Sequence, residues 1–453
     1  MLFTKKDLIK ITLPLILQQL LNVLVSTVDS IMVANVGEEA VSGIALVGSL
    51  DTVLITFFTA LTTGGTVIIS QFLGKKNARQ VKEATKQTLY ISTLAAAALA
   101  VTVLIFRVPM LNLLFGDAEP GVMYHARRYF FFIALSFPFL AIDGACGSAL
   151  RAAGDSMTSM LVSFGMNLVN VAGNALLIYA IPLGAAGAAI STLAARVAGS
   201  IVLIAMLHTD HWPVKLERLF HYRPDWKIIR RILHIGVPNG IESCMFQFGR
   251  LMTQSLISGL GTVSIAANSI ANTLANYQYL PGAAIGNASI AVIGRCVGAK
   301  ETKQAKRYSR ILLLTAYCCI WVIVLVTLLF GKVIIGAWKL SPESAALTFR
   351  LILLHSLAAA VIWPSGFVLP HMFRAASDVK FPMTVSITSM WVFRIALCFV
   401  LVPESIHLFG LTVPGLGMGV IGVWIAMIID WLVRAALYLW RFFSGRWLAV
   451  YKE

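Results

Sequence analysis

The sequence predicts an all-α polytopic membrane protein: twelve transmembrane helices in two pseudo-symmetric six-helix bundles around a central cavity. Three observations carry this expectation. Hydrophobic residues make up 58% of the chain and charged residues 12%, about half the charged share of a soluble domain. Apolar runs long enough to cross a hydrocarbon core of about 30 Å recur along all 453 residues. The two halves of the chain also repeat at a nearly constant offset.

Taken in order, the runs place spans at roughly 8–34, 44–73, 88–114, 128–150, 158–181, 185–207, 232–258, 265–296, 310–338, 350–373, 383–403 and 413–443. Backbone polar groups cannot stay open in lipid, and the runs are too long and too uniformly apolar for barrel strands, so helices are expected. The segment Met1–Lys10 is polar and basic. The run after it outlasts a signal-peptide core and lacks a small-residue cleavage motif, and it reads as a retained first span.

Charge placement sets the topology. Alternate segments hold Lys5, Lys6 and Lys10; Lys75, Lys76, Arg79, Lys82 and Lys86; Arg151; Lys215, Arg218, Arg223, Lys227, Arg230 and Arg231; Arg295, Lys300, Lys303, Lys306, Arg307 and Arg310; Arg374 and Lys380; and Arg441, Arg446 and Lys452. The other side holds only Arg107, Arg127, Arg128, Lys332, Lys339 and Arg350. The positive-inside rule then puts both termini in the cytoplasm. The net charge of +16 is accounted for by these loops and forms no continuous basic face, so no nucleic-acid partner is expected.

The longest polar stretch, 208–231, reads as a cytoplasmic linker lying on the membrane surface. It divides the chain into an N-terminal bundle, 1–207, and a C-terminal bundle, 232–453. Pro14 and Pro238, Gly37 and Gly261, and Gly74 and Gly298 are each 224 residues apart. QFLGKKNARQVKEA answers RCVGAKETKQAKRY, and LRAAGDSMTSM (150–160) answers FRAASDVKFPM (373–383) at an offset of 223. With six spans per half, the halves share one orientation, a parallel repeat suited to alternating access by rocking bundles.

Five acidic residues fall within the spans: Asp29, Asp51, Asp143, Glu242 and Asp430. An intramembrane carboxylate is expensive, about 2.5–3.5 kcal/mol on insertion scales, and marks a functional candidate. Asp29 stands foremost, because one carboxyl deep in a span can hold a proton or a bound cation. Asn170 and Asn174 share a face of the fifth span. With Thr192 of the sixth they offer oxygen ligands of the kind a hard cation prefers, or alternatively a polar glue between helices. Asp51 and Asp143 are candidates to line a cavity or to sit at the interfaces. Glu242 is likewise a candidate to line the substrate cavity, or it pairs with Arg250 or Arg394, and Asp430 is expected to pair with Arg434 four residues on. Asn268, Asn272 and Asn276 recur every four residues on the eighth span. Asn272 and Asn276 are therefore candidates to face a substrate cavity, and Tyr277 is one of the aromatic residues that could line it for a lipophilic cation, with packing as the plainer reading.

There is no P-loop and no HExxH or GxSxG motif, so neither ATP-driven transport on this chain nor hydrolysis is expected. The six cysteines all lie in or near apolar runs without CxxC spacing, which suits packing rather than a disulfide or metal site.

Pro14 followed fifteen residues later by Asp29 in VDSIMVANVG, the SQFLGKKN loop, LRAAGDS, the Asn170–Asn174 pair and GAAGAAIST ending at Thr192 together resemble the multidrug and toxic compound extrusion family over essentially the whole chain. The resemblance implies that Asp29 takes part in cation coupling in an N-terminal cavity. Some members of that family carry an aspartate where Asn174 stands, so a two-carboxylate proton site is in doubt here. It implies a cation-coupled antiporter that exports organic, cationic or amphiphilic compounds and uses no cofactor beyond H+ or Na+ as coupling ion. A monomer in a bacterial inner membrane, with small organic substrates and the lipid bilayer as partners, is expected. A flippase of a lipid-linked precursor is the alternative, favoured if basic side chains face the cavity. A membrane-embedded enzyme or receptor is the alternative of another class.

Overall fold

The computed structural model describes residues 2–116, 118–209, 211–216, 222–408 and 411–449. Arg218 and Lys452, two of the cations expected on the cytoplasmic side, lie outside the described residues. Twelve long helices follow one another: α1 (Lys5–Ala34), α2 (Glu38–Gly74), α3 (Ala78–Phe115), α4 (Pro120–Ala153), α5 (Ser156–Ala180), α6 (Ala185–Leu207), α7 (Trp226–Ser258), α8 (Thr262–Gly298), α9 (Thr302–Gly336), α10 (Pro342–Val361), α11 (Lys380–Leu401) and α12 (Gly419–Phe443). Two short segments, Trp363–Phe367 and Leu369–Ala375, prolong α10, and a four-residue helix α13 (Arg446–Ala449) closes the described chain.

Eleven of the twelve are long and apolar enough to cross a membrane. The exception is α7, where Lys227, Arg230, Arg231, Glu242 and Arg250 dilute an otherwise apolar 33-residue helix. Large apolar side chains such as Leu113, Val333 and Phe443 are left exposed, as expected where lipid is the solvent. Most helices run several residues beyond the apolar runs, because polar helix ends extend past the hydrocarbon. The last helix begins at Gly419 and not near 413, since Ser405–Leu408 (β1) pairs antiparallel with Leu411–Pro414 (β2), Ser405 opposite Pro414. That small hairpin is the one departure from an all-helical chain among the described residues.

The duplication is visible in the backbone. Helices α2 and α8 are both 37 residues long, and their ends are 224 residues apart. Gly37 and Gly261 both adopt positive φ before these helices, and Lys76 and Lys300 both do so after them. Gly154 and Ser377, paired at an offset of 223, share it as well. A left-handed residue is costly for anything but glycine, so its recurrence at non-glycine positions marks a turn inherited by both halves.

The chain forms two compact units. Unit 1 comprises Met1–Gly240 with Gly294–Lys300, and unit 2 comprises Ile241–Ile293 with Glu301–Glu453. In unit 1, α4 packs against α2, α3 and α6, and α5 packs against α1 and α6. Its core gathers Val47, Phe58, Val103, Leu111, Phe130, Ile133 and Phe137. The linker is tied to α3: Tyr222 stacks on Tyr90 at 4.1 Å, and Gln87 donates to the Arg223 carbonyl at 2.7 Å. In unit 2, α12 packs against α11 and the segment Trp363–Phe367, and α9 against α10. Buried Tyr438 donates to the Pro382 carbonyl at 3.0 Å and lies 2.8 Å from the Ser386 hydroxyl.

Within unit 1 the ends of α2 and α8 cross in close backbone contact. A Cβ on Gly74 would lie 2.1 Å from the Arg295 carbonyl oxygen, and one on Gly298 would lie 2.0 Å from that of Gln71. The two glycines of the repeat thus make reciprocal contacts that no other residue allows. Gly298→Val is expected to destabilise the protein by about 1–3 kcal/mol, read as a lower melting temperature in detergent. Gly48→Ala, where nothing lies within 4 Å, should leave it unchanged.

Candidate functional site

Asp29 lies on α1 five residues before its end. Its carboxylate meets the fifth helix at the point where the α-helical turns of α5 give way to a wider π turn, Ala175–Ala180, immediately after Asn174. Such widened turns often re-aim side chains at functional sites. Asn174, itself buried, donates from Nδ2 to Asp29 Oδ1 at 2.9 Å. With its amide nitrogen toward Asp29, Asn170 donates to both carboxylate oxygens at 3.0 Å, and its oxygen accepts from the Thr192 hydroxyl at 3.2 Å. This amide orientation is chosen by its neighbours: oxygen faces a hydroxyl and nitrogen faces a carboxylate. The four residues singled out in the sequence therefore form one cluster.

No basic side chain is paired with Asp29 among the described residues. Its charge is met by amide donors alone. Asn174 Oδ1 is buried without a hydrogen-bond partner, so a spare oxygen stands beside the carboxylate. The other two acids within the spans of unit 1 are handled differently. Asp51 Oδ2 lies 3.6 Å from Arg196 Nη2, and Arg196 also donates to the Ser136 hydroxyl at 2.6 Å. Asp143 lies within electrostatic reach of Arg151 and Arg196. Tyr129 lies within such reach of Asp51, Arg196 and Asp29. Arg196 and Tyr129 were not singled out in the sequence, although an arginine inside a span is itself the signal.

Unit 2 has a different character. Two adjoining cavities, of about 320 Å³ and about 250 Å³, share Arg250, Asn272, Arg394, Trp424 and Met427 in their walls. Asn272 faces them as expected. Asn268 lines the larger one and accepts from the Trp424 indole at 3.0 Å. Asn276 instead accepts a hydrogen bond from the Tyr279 hydroxyl, and neither Asn276 nor Tyr277 lines these two cavities.

Glu242 pairs with neither Arg250 nor Arg394. Its Oε2 takes a hydrogen bond from Arg374 Nη2 at 2.8 Å. The segment Leu369–Ala375 brings Arg374 to it, an approach that spacing along α7 did not reveal. The expected pair of Asp430 and Arg434 is present at 2.7 Å, with Ser389 donating to the same oxygen at 2.6 Å. Arg394, in a second π turn (Ser389–Ala396), stands 3.9 Å from the other oxygen. The two π turns fall in α5 and α11, the fifth helix of each half, one at Asn174 and the other at Arg394. Among the described residues no cluster of three or more His, Cys, Asp or Glu side chains is arranged to hold a metal ion.

The MatE family pattern matches residues 14–176 and again 238–400, two copies set apart by the same 224 residues as the repeat. The chain belongs to the MatE family. It is a multi-pass integral membrane transporter and not an enzyme. An uncharacterized transporter of Bacillus subtilis, YisQ, is 28% identical over 98% of this chain and 95% of its own length. A probable multidrug resistance protein, NorM of Thermotoga maritima, is 25% identical over 98% and 93%. Among solved structures, an outward-facing multidrug resistance transporter of the family superposes with a TM-score of 0.87 at 17% identity, over 99% of this chain and 97% of that one. A MOP superfamily transporter from Pyrococcus furiosus gives 0.85 at 20% identity, over 98% and 96%. At these identities the structural likeness shows the twelve-helix fold.

Proposed function

We propose that this MatE transporter is a cation-coupled antiporter that exports small organic amphiphiles by alternating access, with Asp29, Asn170, Asn174 and Thr192 as its coupling site. The observation that carries the reading is a carboxylate inside a span whose partners are two asparagine amides and no basic residue. An ion pair would fix Asp29 in its charged form, whereas amide donors hold it without cancelling its charge. A proton or a metal cation can then supply the missing charge. Protonation costs the cluster one hydrogen bond. Sodium would need the Asn170 oxygen to turn toward Asp29 and join the spare Asn174 oxygen, since hard cations take oxygen ligands. The orientation that its neighbours select for the Asn170 amide favours the proton.

The inward gradient of that ion would drive the export. The loop charges support both termini in the cytoplasm, bacterial relatives such as YisQ of Bacillus subtilis support a bacterial inner membrane, and a monomer suffices, since one chain carries both halves of the repeat. The names of relatives such as NorM, a probable multidrug resistance protein, support the export of organic compounds. A flippase would use the same fold, and the arginines of the unit 2 cavities are the feature that favours it. Their volumes suit a compact head group rather than a bulky lipid-linked oligosaccharide.

Transport of a labelled organic substrate in proteoliposomes under an imposed pH gradient tests the assignment. Uptake driven by the proton gradient and unchanged by sodium is the expected result. Uptake that needs sodium would replace the proton, and uptake indifferent to both gradients would overturn the antiporter.

A further inference from the structure

The geometry points to an organic-anion site in unit 2, in which Arg250 and Arg394 hold the acidic group of an amphiphile and the neighbouring aromatic wall holds its apolar body. This names a substrate class for the exporter and rests on that reading only where it speaks of transport; the binding site stands on its own.

The charges in this part of the unit do not balance. Arg394 is only 8% exposed, lines both cavities, and its Nε is buried without a hydrogen-bond partner. Arg250 lines both cavities as well, and its guanidinium has no hydrogen-bond or ion-pair partner among the described residues. The two carboxylates nearby do not offset these charges. Asp430 holds Arg434 and Ser389 through Oδ1 and faces Arg394 with Oδ2 at 3.9 Å, so one carboxylate serves two arginines, while Glu242 is bound to Arg374. A guanidinium inside a span is costly unless it meets an anion, and its planar fork suits a carboxylate, sulfonate or phosphate. Asn272, in the wall of both cavities, adds a polar side chain beside the two arginines.

The wall of the smaller cavity is rich in aromatic side chains. Trp363 stacks between Tyr279 at 5.4 Å and Phe367 at 5.0 Å, with interplanar angles of 8° and 13°. Such a stack offers a flat face to an aryl or alicyclic body. A lipophilic cation would enjoy the same rings but would sit beside two arginines of its own sign. The cavity therefore selects anions, the reverse of the cationic preference that the family resemblance suggests.

The test uses purified full-length protein in phosphatidylcholine nanodiscs and three dansyl probes: dansylglycine (anionic), dansylamide (neutral) and dansylamidoethyl-trimethylammonium (cationic). Fluorescence titration should show dansylglycine binding at least tenfold more tightly than either of the others. Arg250→Gln should weaken dansylglycine tenfold or more, leave dansylamide unchanged and leave the melting temperature unchanged, because the Arg250 guanidinium holds nothing else in place. Arg394→Lys should weaken it less than Arg394→Gln, since charge is retained. Displacement of dansylglycine by phosphatidylglycerol would assign the same anion site to a lipid head group rather than to a dissolved anion. Tighter binding of the cationic probe, or an Arg250→Gln variant that binds dansylglycine as the parent does, would overturn the proposal. Asp29→Asn should bind dansylglycine normally, so a failure of the coupling assignment would not be mistaken for a failure of this one.

Discussion

Asp29→Asn is expected to leave the protein folded and to abolish gradient-driven export. The substitution keeps the size of the side chain and removes its charge. An aspartate in a span costs about 2.5–3.5 kcal/mol on insertion scales, so its loss should not lower the melting temperature. Asn174 and Asn170 now donate to the carboxylate at 2.9 and 3.0 Å. An amide in its place still accepts one such bond, but it cannot gain or lose a proton. Transport measured in everted vesicles should fall to the level of empty vesicles, while the expression level and the elution profile match the parent. Asn174→Ala is expected to be milder, because Asn170 still holds both carboxylate oxygens.

The largest loss of stability is expected at Asp430. This residue is 0% exposed and is the carboxylate that faces both Arg434 and Arg394. Asp430→Asn removes the one charge that meets these two guanidinium groups. Breaking a buried pair in this way costs about 3–5 kcal/mol, because the partner remains buried and uncompensated. A fall in melting temperature, larger than for any substitution at Arg250, should be seen by thermal unfolding in detergent. Replacing Asp430 and Arg434 together by leucine should cost less than the single change, since a pair exchanged for apolar residues leaves fewer charges stranded. An Asp430→Asn variant as stable as the parent would mean that Ser386, whose carbonyl accepts from Arg434 at 3.0 Å, satisfies that arginine alone.

Much of the scaffold was legible in the sequence because lipid imposes a simple rule. Every span must be helical and apolar, and a duplicated span keeps its spacing. The 224-residue offset read from Pro14, Gly37 and Gly74 reappears in the equal lengths of α2 and α8 and in the paired left-handed residues. The Asp29 cluster was legible for a related reason: the i, i+4 spacing of Asn170 and Asn174 puts both amides on one helix face.

Other features depended on contacts far apart in the chain. Glu242 finds Arg374, 132 residues away, and no periodicity along α7 points there. The cationic cavity was missed because basic residues were weighed by loop. Setting those aside leaves Arg196, Arg250, Arg394 and Arg434 inside spans, and three of these four cluster in unit 2. The hairpin of β1 and β2 was absorbed into the last span because its residues are apolar enough to extend that run.

The two halves thus share a scaffold and divide the chemistry: a carboxylate without a basic partner, Asp29, in unit 1 and more guanidinium groups than carboxylates around the cavities of unit 2. The most direct measurement is substrate-evoked proton movement in proteoliposomes carrying an internal pH indicator, made side by side on the parent, Asp29→Asn and Arg250→Gln. The parent should move protons when dansylglycine is added. Asp29→Asn should move none at any concentration while still binding the probe, and Arg250→Gln should respond only at concentrations raised tenfold or more. Proton movement undiminished in Asp29→Asn would contradict this division of labour.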